Sequence, residues 1–220
     1  MAEQIQWKTI DQIFCKSMRC RKCFDQQLAE PALIDVAQPR LIGSHYFGAP
    51  VKILIITPYP GCGTSEKQKP NIEFCKILHD YRDGKNTTLQ DLFAFQSKYI
   101  KKWGEPQGHF VDFYICGLEL DIEEIAFTTI AWCATRWNKH PPEMLSKCFS
   151  INTGKLIQAT NPNIIILSGS DTHKYSSDIS CNNIVRAKNY AYYEKTHDHD
   201  AEQKELLRIR REITRLVKKN

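Results

Sequence analysis

VKILIITPYPG, residues 51–61, carries the clearest fold signal in the chain. Apart from Lys52, its first six residues are aliphatic, which is typical of a strand buried on both faces. The Pro- and Gly-rich loop that follows cannot continue a strand. Further apolar stretches at 123–132, 163–169 and 182–190 predict three more strands.

Amphipathic stretches separate these strands. Apolar residues recur at helical spacing in the segments 3–15, 71–82 and 87–103, in the segment that starts on Pro142, and in the last twenty residues. Such alternation indicates an α/β fold, a three-layer α/β/α sandwich with a central, mainly parallel four-stranded sheet. Because ligands bind beyond the carboxyl ends of parallel strands, we expect a site on the rim formed by 57–66, the segment after Trp132, and 187–190.

Length and composition favour a soluble globular protein. The chain has 220 residues, 42% of them hydrophobic, which suits one domain. Its longest aliphatic run, 164–167, is far too short for a membrane span, and the N-terminus lacks an apolar signal core. We expect a cytoplasmic monomer that uses neither a membrane nor a dinucleotide cofactor.

Positive charge is concentrated at the C-terminus. The net charge is +5, and the last twenty residues contribute +4 with seven Lys or Arg against three Asp or Glu. A basic face suggests an anionic partner, most often nucleic acid, although a solvated helix face is an equal alternative. The HDHD run at 197–200 has metal-binding residue types, but we favour N-capping of the last helix, and Thr88 is a predicted N-cap as well.

Nine cysteines are many for a protein in a reducing compartment, where clustered cysteines more often bind metal or do redox chemistry. Cys20 and Cys23 form a C-x2-C pair, and Cys133 and Cys148 form a wider pair. Together they offer four sulfurs, enough for tetrahedral zinc or a [4Fe–4S] cluster, and unrelated free thiols are the alternative. The sequence context predicts that Cys75 and Cys116 are small core hydrophobes.

A basic loop with Arg136, Asn138 and Lys139 follows Cys133, and a Pro-initiated helix then carries Cys148. This order resembles the iron–sulfur uracil-DNA glycosylases, whose signature runs roughly C-R-P-P-x-N-R-x-P before a helix with a second Cys. RCRKCF (19–24) is similar to the family's C-x2-C, NPNIIILSG (161–169) to a family strand, and TPYPG (57–61) to its G-E-x-P-G loop. The resemblance covers most of the chain in order.

The resemblance implies one uracil-DNA glycosylase-like domain over 1–220, with a probable insertion around 87–123. It implies a structural [4Fe–4S] cluster on Cys20, Cys23, Cys133 and Cys148, with Cys15 as the alternative first ligand and zinc as the less favoured metal. It also implies DNA as the partner. The expected DNA contacts are Arg136, Asn138, Lys139, Lys188 and Tyr190.

The catalytic motifs depart from the family. Thr57 and Pro58 replace the Gly and the acidic residue of the first loop, and Thr129 stands where the uracil-reading Asn would be. Thr129 cannot present the amide pair that reads uracil. RAKNYAYY (186–193) replaces the family's His-Pro-Ser, which makes Asn189 the counterpart of the His. The expected base pocket comprises Thr57, Pro58, Tyr59, Gly61 and Thr129.

Few groups are available for catalysis. Glu66 is a candidate to orient water, and Asn189 a candidate to hydrogen-bond the leaving base, while Tyr59 is a candidate to stack on a flipped base. The alternatives are an ordinary exposed loop for Glu66 and Tyr59, and a turn cap for Asn189. The insertion adds aromatic and polar residues that would line a roomier pocket, with a place in the core as the alternative for most of them: Phe93, Tyr99, Trp103, His109, Phe110 and Tyr114.

Three functions are therefore compared. The first is a DNA glycosylase of altered specificity that excises a modified or damaged base other than plain uracil, for example a glucosylated hydroxymethylcytosine of phage DNA, in repair or anti-phage defence. The second is a catalytically inactive relative that binds nucleic acid. The third is a zinc-bearing structural module of a larger assembly.

Overall fold

A computed structural model describes residues 2–61, 69–100 and 110–218. By its contacts the chain divides into two compact units, each built from several segments. The first unit comprises Met1–Leu41, Pro58–Gln96 and Thr128–Thr160. The second comprises Ile42–Thr57, Ser97–Phe127 and Asn161–Asn220.

A four-stranded sheet with all strands parallel forms the centre of the fold. Its strands are β1 (Ile53–Thr57), β2 (Ile125–Thr129), β3 (Ile164–Ser168) and β4 (Ile184–Ala187). The order is β2-β1-β3-β4, with Ile53 opposite Ile164 and Ile165 opposite Ile184. Every residue of β1, β2 and β3 is buried, whereas β4 exposes Arg186, as expected for an edge strand.

Helices flank this sheet, so the predicted α/β class with a three-layer α/β/α arrangement is confirmed. They are α1 (Ala2–Met18), α2 (Lys22–Asp25), α3 (Lys69–Arg82), α4 (Leu89–Tyr99), α5 (Pro142–Cys148), α6 (Gly154–Thr160), α7 (Ser170–His173), α8 (Tyr190–Thr196) and α9 (His199–Val217). Among the helices of the described ranges, none is both long enough and apolar enough to cross a bilayer.

The first unit is organised around Trp132. This side chain is fully buried, and Phe14 of α1 packs edge-on against it with ring centroids 5.5 Å apart. Its indole Nε1 donates to Thr153 Oγ1 at 3.0 Å. Thr153 ends a π-helical segment, Phe149–Thr153, that joins α5 to α6. The single long helix predicted from Pro142 therefore contains a wide turn, which brings Thr153 and Asn152 to the buried side.

The second unit contains most of the sheet and the C-terminal helix. Helix α9 packs against β4 through Leu206, Ile209 and Leu216, as its apolar spacing predicts. Asp198 caps it by accepting from Ala201 N at 3.0 Å, which confirms the capping interpretation of HDHD. In the first unit the Thr88 hydroxyl likewise accepts from Asp91 N at the start of α4.

Several sequence predictions are corrected. For Phe110 and Tyr114 the structure supports the core alternative rather than the pocket rim, because both are fully buried in the second unit. Cys116 is exposed and Cys75 half-buried, so neither is a core hydrophobe. The strand predicted over 123–132 ends at Thr129, because the chain then turns to bury Trp132. Trp103 and His109 lie outside the described residues.

Candidate metal centre and nucleic-acid interface

Cys20, Cys23, Cys133 and Cys148 converge within the first unit. Cys20 follows α1, Cys23 lies in α2, Cys133 follows β2, and Cys148 ends α5. All four are free thiols, and all but Cys20 are buried. The other three sulfurs each raise the pKa of Cys133, which places the pairs close together although more than a hundred residues separate them in sequence.

Burial dominates the ionisation of these thiols. It raises the pKa of Cys133 well above its usual range, with neighbouring thiolates adding to the effect and Arg21 opposing it. Burial likewise raises the pKa of Cys148 to about 12. Burial raises the pKa of Cys23, and Lys147 lowers it. The raised pKa values keep the Cys23, Cys133 and Cys148 sulfurs protonated at neutral pH unless a cation binds them, so metal binding at this centre releases protons.

Two N–H groups point at the Cys148 sulfur. Trp132 N donates to Sγ at 3.2 Å, and Asn152 Nδ2 donates at 3.3 Å. The Asn152 amide is oriented by Ser17 Oγ, which donates to Asn152 Oδ1 at 2.9 Å. Donors of this kind favour a thiolate, and they are the interactions that tune sulfur ligands in metal centres.

The spacing of the sulfurs bears on which metal would fit. Around a tetrahedral zinc ion, with bonds of about 2.3 Å, sulfurs stand about 3.8 Å apart. Within the described part of the chain, no three of these four sulfurs lie within 4.8 Å of one another. A cubane cluster needs a wider set, because each cysteine extends outward from a different iron. Among the described residues the four thiols thus form no preformed tetrahedral zinc site, and four cysteines are also the ligand number of a [4Fe–4S] cluster.

The loop after Cys133 is held at both ends. Antiparallel bridges join Ala37 to Cys133 and Pro31 to Thr135. At the far end, His140 Nε2 lies 3.0 Å from the Cys133 carbonyl and donates to it. The Thr135 hydroxyl donates to the Lys139 carbonyl at 2.8 Å and closes the turn. Because Cys133 itself takes part in these contacts, a cluster bound to its sulfur would help to fix the conformation of the loop.

At its tip the loop presents an exposed aromatic ring. Trp137 is 78% exposed and has φ +62°, and Asn138 follows with φ +53°. Two consecutive non-glycine residues in the left-handed region are unusual, and such strain is common at functional sites. Arg136 and Lys139 flank them and are exposed as well. An exposed ring can stack on a base or insert into a groove, and neighbouring cations can bind the phosphates beside it.

The first predicted pocket loop contacts the cysteine loop. Tyr59 stacks on His140 with ring centroids 4.1 Å apart and an interplanar angle of 9°. Pro58 O accepts from Ala131 N at 3.0 Å. Pro58 and Tyr59 are half-buried and Gly61 is exposed, while Thr57 is buried at the end of β1. Burial lowers the pKa of His140, so its ring is neutral at physiological pH.

Thr129 is poorly placed to read a base. Its side chain is buried, and its hydroxyl donates to Ala131 O at 2.6 Å. The hydroxyl proton is therefore used locally, and only acceptor capacity remains for a ligand. Thr129 therefore offers neither a free donor nor the reach of an amide side chain.

The remaining candidates lie in the second unit. Asn189 Oδ1 accepts from Ala191 N at 3.0 Å and caps α8, which is the alternative left open by the sequence. The Lys188 ammonium lies over the Tyr192 ring, 4.7 Å from its centroid. The Tyr190 ring packs edge-on against Phe110. Glu66 lies outside the described residues.

Carboxylates accompany several of the predicted phosphate-binding cations. Arg136 Nη1 pairs with Glu30 at 3.2 Å, with both side chains exposed. In α9 the pairs are Arg208 with Glu205 and Glu212, Arg210 with Glu119, and Arg215 with Glu212. Part of the positive charge of the basic tail is therefore paired with carboxylates of the protein itself, as expected for a solvated helix face. Exposed pairs of this kind are weak, so phosphate can displace them.

His140, Asn152 and Trp137 were not singled out from the sequence. His140 precedes the Pro141–Pro142 pair, and that position alone gives no sign of a stacking partner. Asn152 lies four residues beyond Cys148 on the same helical face, which is a usable signal. Trp137 sits beside the family-like Asn138, and only the backbone geometry distinguishes it.

No family model and no curated protein match the chain. The site must therefore be interpreted from its own chemistry. Its elements in the first unit are four converging thiols, N–H donors aimed at one sulfur, and a strained basic loop tipped with tryptophan.

Proposed function

We propose that the chain is a DNA glycosylase that carries a structural [4Fe–4S] cluster and excises a modified base other than plain uracil. Cys20, Cys23, Cys133 and Cys148 hold the cluster. The convergence of these four thiols carries the proposal, since it is the feature that the glycosylase resemblance requires and that unrelated free thiols would not give.

The cluster's contribution is structural and electrostatic when it is bound. This chain's own residues then hold the 134–141 loop through the Ala37–Cys133 bridge and the His140–Cys133 hydrogen bond. Arg136 and Lys139 bind phosphates, and Trp137 stacks against an unpaired base. The nucleic-acid face is thus fixed before DNA arrives, which lowers the ordering cost of binding.

The reaction breaks the N-glycosidic bond and one O–H bond of water, and it forms a C1′–O bond and an N–H bond on the base. Water adds to C1′ of the sugar, the N-glycosidic bond breaks, and the base leaves with a proton, so that an abasic site remains. The base must first rotate out of the helix. Loss of the uracil-reading amide at Thr129 supports a different base, and a hypermodified cytosine such as glucosylated hydroxymethylcytosine is the candidate we favour. The corresponding role is anti-phage defence by a cytoplasmic monomer.

A glycosylase assay tests this proposal. Anaerobically purified chain is incubated with duplexes that carry uracil, hypoxanthine, glucosylated hydroxymethylcytosine or unmodified cytosine at one position. We expect alkali-labile strand breaks at the glucosylated base and none at unmodified cytosine. Absence of breaks in every duplex contradicts catalysis.

A second candidate is a catalytically inactive protein that binds nucleic acid. This candidate is favoured because two predicted site residues are hydrogen-bonded to nearby backbone groups rather than held ready for a substrate. Thr129 donates to the Ala131 carbonyl, and Asn189 caps α8. The candidate shares the Fe–S centre and the basic loop but predicts no abasic product. Binding to the same duplexes that weakens linearly with the logarithm of salt concentration, without strand breaks, establishes it. Salt-independent binding contradicts both candidates.

A further inference from the structure

A second cluster of ligand-type side chains lies in the first unit. Cys75 and His79 are four residues apart on α3 and therefore share one face of the helix. Asp35 comes from the segment between the Pro31 and Ala37 bridges. The Cys75 sulfur, a His79 ring nitrogen and an Asp35 carboxylate oxygen all lie within 4.8 Å of one another.

Each donor is positioned by its surroundings. Asp35 sits between Ile34 and Val36, which are both buried and anchor the backbone on either side. Its carboxylate Oδ1 lies 2.8 Å from His79 Nε2, and the Cys75 thiol donates to the Leu33 carbonyl at 3.9 Å. All three side chains are half-buried, so an ion can reach them from solvent.

We infer that Asp35, Cys75 and His79 bind a divalent metal ion of the zinc class, separate from the four-cysteine centre. One thiolate, one imidazole and one carboxylate form a donor set suited to zinc, with a water completing the tetrahedron. Donors around such an ion stand about 3.3–3.8 Å apart. Binding would therefore open the 2.8 Å Asp35–His79 pair slightly and draw in the sulfur, which lies within 4.8 Å of both. Local hydrogen bonds account for each side chain singly, and it is the meeting of all three donor atoms within 4.8 Å of one another that points to an ion.

Binding requires a defined proton balance. The ion displaces the proton shared by His79 Nε2 and Asp35 Oδ1, which moves to Nδ1 of the same ring or to solvent. The Cys75 thiol loses its proton to solvent when the sulfur becomes a ligand. The Arg82 charge favours this thiolate, while burial and Asp35 oppose it. The ion then ties α3 to the 31–37 segment. This inference does not depend on the proposed glycosylase function.

Metal analysis of the full chain tests the inference. Wild type, Cys75→Ser, His79→Gln and the matched control Cys116→Ser are dialysed against Zn²⁺ and then metal-free buffer, and zinc per chain is measured by mass spectrometry. Co²⁺ is titrated in parallel, and its visible d–d and thiolate charge-transfer bands are recorded. Circular dichroism confirms that each variant folds.

The expected result is one equivalent of zinc less in Cys75→Ser and His79→Gln than in wild type and Cys116→Ser. In the cobalt titration, Cys75→Ser should lose the charge-transfer band of the Cys75 thiolate, whereas Cys116→Ser should keep it. Equal zinc content in wild type and Cys75→Ser overturns the inference. An equal loss of zinc in Cys116→Ser overturns the inference as well, because the zinc would then be bound nonspecifically by accessible thiols.

Discussion

The two thiol clusters of the first unit differ in chemistry and in exposure. The four-cysteine centre is mostly buried, all sulfur and widely spaced, whereas the Asp35–Cys75–His79 cluster is half-buried, mixed in donors and compact. Four thiols are the donor set that we propose for an iron–sulfur cluster, and the mixed set is the one that we propose for a single ion of the zinc class. Spacing and donor type therefore distinguish metal sites that a count of cysteines treats alike.

Their connections to the rest of the unit differ as well. Cys133 is bridged to Ala37 and bonded through its carbonyl to His140, so the four-cysteine centre is continuous with the exposed Trp137 loop. The mixed cluster joins α3 to the 31–37 segment and has no comparable loop among the residues described. Only the first is expected to control nucleic-acid binding.

Cys148→Ser should have the largest effect. We expect iron to fall from about four per chain to less than about one, because a ligand is lost. Metal-binding energy at such sites is folding energy, so the free energy of unfolding should drop by on the order of 5 kcal/mol. Iron analysis and denaturant titration measure the two changes, with Cys181→Ser as control. Full iron retention in Cys148→Ser removes this residue from the centre.

Chelation should separate the two clusters in one sample. A mild chelator such as EDTA is expected to remove the ion from the solvent-accessible mixed cluster and leave the iron–sulfur absorption intact. The apparent stability should fall by about 2–3 kcal/mol, as expected for loss of a ligand held well above its dissociation constant. Elemental analysis and visible spectra before and after dialysis follow both metals. If the iron–sulfur absorption were lost at the same rate as zinc is released, the two centres would not be independent.

Trp137→Ala should weaken DNA binding by about 10-fold, because stacking on one base contributes about 1–3 kcal/mol. Alanine keeps the Cβ and therefore the same left-handed strain, and the ring it removes is exposed, so folding should be unaffected. Fluorescence anisotropy with a labelled duplex measures the affinity. Trp137→Phe, which keeps a ring, is the matched variant and should retain most of the binding. Identical affinities in wild type and Trp137→Ala would exclude this ring from the interface.

Asn152→Ala tests the donor aimed at Cys148. The variant loses the N–H···S bond and leaves the Ser17 hydroxyl without its acceptor, at a cost of about 1–2 kcal/mol. We also expect a more negative reduction potential, since donors to sulfur stabilise the reduced cluster. Voltammetry against Ser17→Ala, which keeps the N–H···S donor, separates the two effects. An unchanged potential contradicts the direct role of Asn152.

The fold was largely predictable from the sequence, because β1 and β3 are short apolar runs with unambiguous ends. The four cysteines were predictable as a set through their spacing and the family resemblance. The mixed cluster was not, because Asp35 lies forty residues from Cys75 and only tertiary folding brings them together. Trp137 was missed because backbone dihedrals and exposure, not residue type, mark it. Thr129 was assigned to the pocket by its position, whereas its hydroxyl turned out to be used by Ala131.

Iron and acid-labile sulfide analysis of the anaerobically purified full chain tests the central claim most directly, with Cys133→Ser measured beside it. The account predicts about four iron and four sulfide per wild-type chain and a brown protein, with both contents lost in Cys133→Ser. A colourless wild-type chain with one zinc and no labile sulfide, or iron that persists in Cys133→Ser, would contradict it.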